Sequence, residues 1–127
     1  MNGVVIKSTG SWYLVRSENA SVYKCRIRGK FRLEGIKSTN PVSVGDQVDF
    51  DLEPKKETGV IAKIHERRNY IVRKSVNLSK QSHIIASNID RAFLLITIDN
   101  PPTSTSFIDR FLVAAEAYHI PVTLLFN

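Results

Sequence analysis

The sequence predicts two architectures in tandem: a small all-β barrel, then the opening β-α-β of an α/β unit. Two observations carry this reading. Five short runs rich in Val, Ile, Tyr and Phe occupy residues 1–66, separated by Gly, Ser, Asn and Pro. From residue 87 onward, continuous apolar runs flank a stretch with helical spacing. A chain of 127 residues has room for one ordinary domain or two small ones, and can bury a core without disulfide staples.

The runs "GVVIKST", "SWYLVRS", "SVYKCRIR", "DQVDFDLE" and "GVIAKIHE" are the five candidate strands. Their number and length suit a five-stranded OB-type barrel. In Asp46 to Glu53, Val48, Phe50 and Leu52 face one way, and Gln47, Asp49, Asp51 and Glu53 the other. Val60, Ala62 and Ile64 repeat the inward pattern. Leu33 to Gly45 carries Gly35, Pro41 and Gly45, which predicts a loop where many OB barrels place a helix. Residues 67–86, "RRNYIVRKSVNLSKQSHIIA", have no steady period and hold five basic residues with no acid. They read as a basic linker draped over the surface.

In residues 87–127, "AFLLITI" has the continuous apolar character of a strand buried on both faces. "NPPTSTS" is a turn, and Ser106 with Asp109 offers a capping-box start to a helix. Phe107, Ile108, Phe111, Leu112, Ala115 and Tyr118 follow at helical spacing, and "IPVTLLF" is a second strand. The β-α-β order requires parallel strands. Two strands and one helix leave a sheet face and both edges without partners, so a larger α/β domain is expected. Asn127 follows the last strand. Ligands of open α/β sheets bind beyond the carboxyl ends of their strands, and a carboxamide both donates and accepts. Asn also opens many ordinary loops.

Charge is lopsided, with 18 Lys and Arg against 12 Asp and Glu, a net +6. That balance favours a polyanionic partner. The richest stretch is "VYKCRIRGKFRL", where Lys24, Arg26, Arg28, Lys30 and Arg32 occupy every even position. On a strand they line one face at about 6.6–6.8 Å intervals, a surface suited to tracking RNA phosphates. Trp12, Tyr13 and Phe31 lie near enough to offer base-stacking platforms, although a lone Trp in a short strand is more often packing. Arg67, Arg68, Arg73, Lys74 and Lys80 make the linker a second candidate RNA contact. Cys25 shares the inward side with Tyr23 and Ile27 and reads as a small hydrophobe.

One cysteine and three scattered histidines predict no metal site. These residues contain no GxxxxGK[ST] loop, GxSxG elbow or HExxH pair, so no catalytic residue is assigned among them. No apolar run approaches a membrane span and no secretory leader is evident, which predicts a cytoplasmic protein. From the residues alone, a stand-alone OB-fold RNA-binding module and a domain that completes its sheet with a partner chain both stay open.

The blocks "GSWYLV", "YKCRIRGKFR", "NPVSVGDQVDF", "RRNYIVRKSVNLSKQSHIIASNIDRAFLL" and "TSTSFIDRFLVAAEAYHIPVTLLFN" together resemble the RsgA (YjeQ) family of bacterial small-ribosomal-subunit biogenesis GTPases. The resemblance implies an N-terminal OB domain, a circularly permuted P-loop GTPase domain and a zinc-binding C-terminal domain. It implies three parts here: an RNA-binding barrel over 1–66, a linker over 67–86, and an incomplete GTPase start over 87–127. Asn127 matches the first residue of the guanine-recognition Asn-Lys-x-Asp motif. The chain is therefore expected to be an N-terminal piece of a longer, monomeric GTPase and to be inactive alone. For that whole protein the resemblance implies GTP, magnesium and zinc as cofactors, and the small subunit with its ribosomal RNA as partner. It also implies that GTP holds the factor on the subunit and that hydrolysis releases it.

Overall fold

The computed structural model describes residues 1–29, 41–74 and 82–127. Alternating side chains build strands β1 (Asn2–Ser8), β2 (Tyr13–Ser17), β3 (Val22–Ile27), β4 (Gln47–Leu52) and β5 (Thr58–Ile64). They close in the order β1-β2-β3-β5-β4. β3 runs parallel to β5, and the other neighbours are antiparallel. This is the OB-type barrel expected, and closure removes the exposed strand edges that invite aggregation. Val5, Val15, Cys25, Val48, Phe50 and Ile61 are among its buried core. Gly59 is required where β5 passes β3: a Cβ there would sit 2.9 Å from Cys25 Sγ and 3.1 Å from Phe50.

Two details of the barrel differ from the simple alternation. Ile61 is fully buried, while Val60 and Ala62 are only half-buried. The β4–β5 register runs Val48 to Ile64, Asp49 to Lys63, then Phe50 to Ile61. Ala62 is thus the extra residue of a β-bulge, and a bulge resets which parity faces inward. Ile64 packs on the core as expected; Val60 and Ala62 do not point there. Leu52, at the end of β4, is 43% exposed instead of buried.

The segment expected to be an irregular linker is instead a hairpin. β6 (Tyr70–Lys74) and β7 (Ser82–Ser87) pair antiparallel, with a register shift between Ile71 and Val72. That shift breaks the alternation, which is why no period is visible in the sequence. Ile71 is 8% exposed and joins a second core cluster with Ala115 and Ile120. Tyr70 packs against Tyr118 with ring centroids 4.5 Å apart and the rings tilted by 45°. The segment is therefore packed against the helix and supplies part of its cover.

That helix, α1 (Thr105–Ala117), lies between the parallel strands β8 (Ala92–Ile96) and β9 (Val122–Phe126). It starts before the expected capping box. Ser104 is the N-cap, its hydroxyl accepting from Phe107 N at 3.1 Å. Ser104 serves because its own backbone is extended (φ −66°, ψ 140°), whereas Ser106 already lies inside the helix. On β8, Leu94 and Ile96 are buried, while Phe93 and Leu95 are 63% and 62% exposed. Burial of this strand on both faces, expected from its unbroken apolar run, is thus not met within the described residues. One α-helix covers one sheet face only.

Barrel and hairpin meet at a buried carboxylate. Asp46 is 0% exposed. It accepts from Arg67 Nε at 2.7 Å and Nη2 at 2.8 Å, from Ser43 N at 2.8 Å, and from the Ser87 hydroxyl at 2.5 Å. Beside it Gly45 adopts φ +95°, and a Cβ there would lie 2.0 Å from the Ser87 carbonyl oxygen. Ser87 N donates to Val44 O at 2.9 Å, and Asn88 Nδ2 donates to Gly45 O at 2.9 Å. Asn69 then grips Ile89 at both backbone groups, accepting from N at 2.6 Å and donating to O at 2.8 Å.

Removing one member of a buried, hydrogen-bonded ion pair typically costs about 3–5 kcal/mol. Asp46→Ala is expected to lower the unfolding free energy by about that much in urea titration. A loss within the ~0.5 kcal/mol of ordinary surface changes would refute the clamp. Burial pushes the Cys25 thiol up to about 11, so it stays protonated at neutral pH. Native chain should leave an aromatic disulfide reagent unreacted, and the thiol should titrate only after denaturation.

Candidate nucleic-acid interface

The period-two reading of β3 holds across its described length. Lys24, Arg26 and Arg28 are exposed, while Cys25 and Ile27 are buried. Lys30, Phe31 and Arg32 lie outside the described residues. What the row meets is another matter. Arg26 Nη2 pairs with Glu53 Oε1 at 2.5 Å, and Thr58 donates its hydroxyl to the other Glu53 oxygen. Arg28 Nη2 stands 3.5 Å from Asp51 Oδ2. Arg26, followed by Thr58, holds the Glu53 carboxyl below its ordinary range.

The register explains this neutralisation. Arg26 lies opposite Val60 on β5, and Val60 lies opposite Asp51 on β4. The outward acids of β4 therefore reach across β5 to the outward cations of β3. Each row is single-signed along its own strand, yet the sheet interleaves them.

Three cations of β1, β2 and β3 have no acid partner among the described residues. Lys7 is opposite Leu14, and Leu14 is opposite Lys24. Arg16 sits between Val4 on β1 and Val22 on β3. Lys7, Arg16 and Lys24 are all exposed. The Lys24 ammonium lies 4.6 Å from the centre of the Trp12 ring, a cation–π contact that orients both groups. Lys7 and Arg16 were not singled out from the sequence. The signal that brings them in is the β1–β2–β3 register, including a bulge at Ile6.

The aromatic candidates separate. Trp12 is half-buried under Lys24. Tyr13 is 1% exposed, so it is a core residue and offers no stacking face. Its partner across β2–β3 is the buried Cys25, which sets its parity inward.

The basic residues after the barrel are not brought together. Arg67 is committed to Asp46 and to the Pro41 carbonyl at 2.9 Å, and its hydrogen bond to Asp46 raises its pKa further. It is a structural clamp, not a free phosphate contact. Arg68 pairs with Asp90 at 2.7 Å on the surface. Arg73 is exposed on β6, Lys74 ends that strand, and Lys80 lies outside the described residues.

At the far end, Asn127 directly follows β9. Its N–H donates to Ile96 O at 2.8 Å, which holds it beside the carboxyl end of β8. Its exposed carboxamide is at the position where open α/β sheets receive ligands. Among the described residues no three His, Cys, Asp or Glu side chains gather as a metal site, and no helix is long and apolar enough to cross a membrane.

Comparison with known proteins agrees with both halves. Residues 2–61 match the family model of the RsgA N-terminal domain, and residues 64–127 match that of the RsgA GTPase. A protein of Christiangramia forsetii named small ribosomal subunit biogenesis GTPase RsgA is 70% identical over the whole chain, which covers 41% of that relative. A Flavobacterium johnsoniae protein of the same name is 67% identical, with 40% of its length covered. The crystal structure of YloQ, a circularly permuted GTPase, superposes with a TM-score of 0.65 at 33% identity, over 98% of this chain and 39% of that one. YjeQ from Thermotoga maritima gives 0.68 at 29% identity, over 99% and 40%. The chain thus spans about 40% of the length of the curated relatives it matches. With a family model covering its second half and a second model covering the barrel, this chain belongs to the RsgA family.

Proposed function

We propose that this chain is the RNA-docking part, and the beginning of the nucleotide-binding part, of a GTPase that assists maturation of the small ribosomal subunit. The observation that carries the reading is the exposed trio Lys7, Arg16 and Lys24 on one barrel face, without acid partners among the described residues. A strand of RNA crossing β1, β2 and β3 meets positive charge at each step, with Trp12 beneath Lys24. The relatives are named for small-subunit biogenesis, and in this reading the barrel's partner is RNA of that subunit.

In this reading the barrel occupies residues 1–66. The nucleotide unit takes in the rest, with Asn127 offering its carboxamide to the guanine edge. That group suits the role, since it donates and accepts in one plane. GTP and magnesium serve the whole protein, with phosphate contacts supplied by residues other than these 127. A structural zinc, a monomeric state, a cytoplasmic location and release from the subunit by hydrolysis complete the proposal.

The salt dependence of RNA binding tests the interface. A single-stranded contact contributes ~0.7 to the slope of log affinity against log salt. The triple substitution Lys7→Ala, Arg16→Ala, Lys24→Ala should weaken binding and flatten the slope by about 2. Arg26→Ala with Arg28→Ala should change it much less, because those guanidiniums already face carboxylates. Equal slopes for the parent and the first variant would dismiss this face.

A further inference from the structure

We propose that a groove on the outer barrel surface, across β4, β1 and β2, seats one unpaired RNA base. The proposal rests on the RNA-docking reading above and adds a site that phosphate tracking does not require. The open groove has a volume of about 360 Å³, at the small end of ligand sites and suited to a single nucleotide-sized group.

Its shape follows from the register. Val4 on β1 lies opposite Gln47 on β4 and opposite Arg16 on β2. A short, half-buried side chain between two long ones leaves a trough with an apolar floor. Asn2, Glu18 and His65 form the rim. The His65 Nε2 is held by Asp49 Oδ1 at 2.8 Å, which fixes the ring against the wall.

The chemistry selects the occupant. The carboxamides of Asn2 and Gln47 are exposed and have no side-chain partner among the described residues. Each presents a donor and an acceptor side by side, the pattern that pairs with a base edge. Val4 gives the base a flat apolar contact. Arg16, the one guanidinium of the groove, reaches a flanking phosphate or stacks on the ring. A bare anion fits poorly, because Glu18 and Asp49 stand nearby. A purely apolar ligand would leave both carboxamides unpaired. The groove also joins the proposed path: beyond Arg16 lies Val22 on β3, the strand that bears Lys24.

The test is fluorescence anisotropy of the 127-residue chain with short labelled single-stranded RNAs of A, C, G or U. The parent should prefer one base. Asn2→Ala with Gln47→Ala should weaken binding of the preferred oligomer roughly ten-fold and erase the preference, with the salt slope unchanged. Val4→Trp, which fills the trough from an outward position, should do the same while keeping the parent's thermal transition. Arg16→Ala should weaken all oligomers and flatten the slope by ~0.7.

The outcomes separate the two ideas. Suppose Lys7→Ala and Lys24→Ala weaken binding, but the double carboxamide variant and Val4→Trp leave affinity and preference intact. Then the groove is not a base site and the RNA interface stands. A parent indifferent to base identity overturns the groove as well. A parent that binds no RNA overturns both.

Discussion

A single buried carboxylate holds this structure together. Asp46 has no exposed surface, so its charge is tolerable only because four donors converge on it. Those donors come from its own turn, from the segment after β5 and from the end of β7. Removing water from the site strengthens each bond, and it equally penalises any arrangement that leaves one donor out. The result ties the barrel to the hairpin at one geometry. Gly45 matters for the same reason, since the Ser87 backbone occupies the space a side chain would need.

The hairpin carries that constraint onward. Ile71 packs under α1 and Tyr70 packs on Tyr118, and Tyr70 pairs with Ser87, so the same end of the hairpin touches both the barrel joint and the helix. Asn69 and Asn88 tie the same joint to the approach to β8. The two halves are therefore connected by packed, hydrogen-bonded structure where composition alone suggests a loose basic tether.

Electrostatics on the barrel follow register more than composition. A strand with cations on every second residue is a strong local signal, but a sheet sets each strand beside two others. Here β4 brings Asp51 and Glu53 to Arg28 and Arg26, while β1 and β2 bring Lys7 and Arg16 into line with Lys24. Exposed ion pairs contribute little to stability. Their consequence is for binding: a guanidinium facing a carboxylate presents less field to a phosphate than one facing water. The β8–β9 sheet is governed by a different imbalance, with Phe93, Leu95 and Leu125 exposed on the face opposite α1.

Local chemistry determined most of the element plan. Alternation and β-branched content placed five barrel strands, helical spacing placed α1, and unbroken apolar runs placed β8 and β9, because each pattern reflects which side chains water rejects. Motif blocks led to the RsgA family, since residue order alone carries them. Tertiary structure decided what no local period encodes. Bulges at Ile6 and Ala62 changed which residues face inward, and a register shift concealed the β6–β7 hairpin. Arg67 turned from candidate RNA contact to clamp because its partner Asp46 lies 21 residues away in sequence. Tyr13 went to the core, Arg26 and Arg28 met acids, and Lys7 and Arg16 joined Lys24 as exposed cations with no acid partner among the described residues. All of these depend on which strands become neighbours, and barrel closure settles that through contacts distant in sequence.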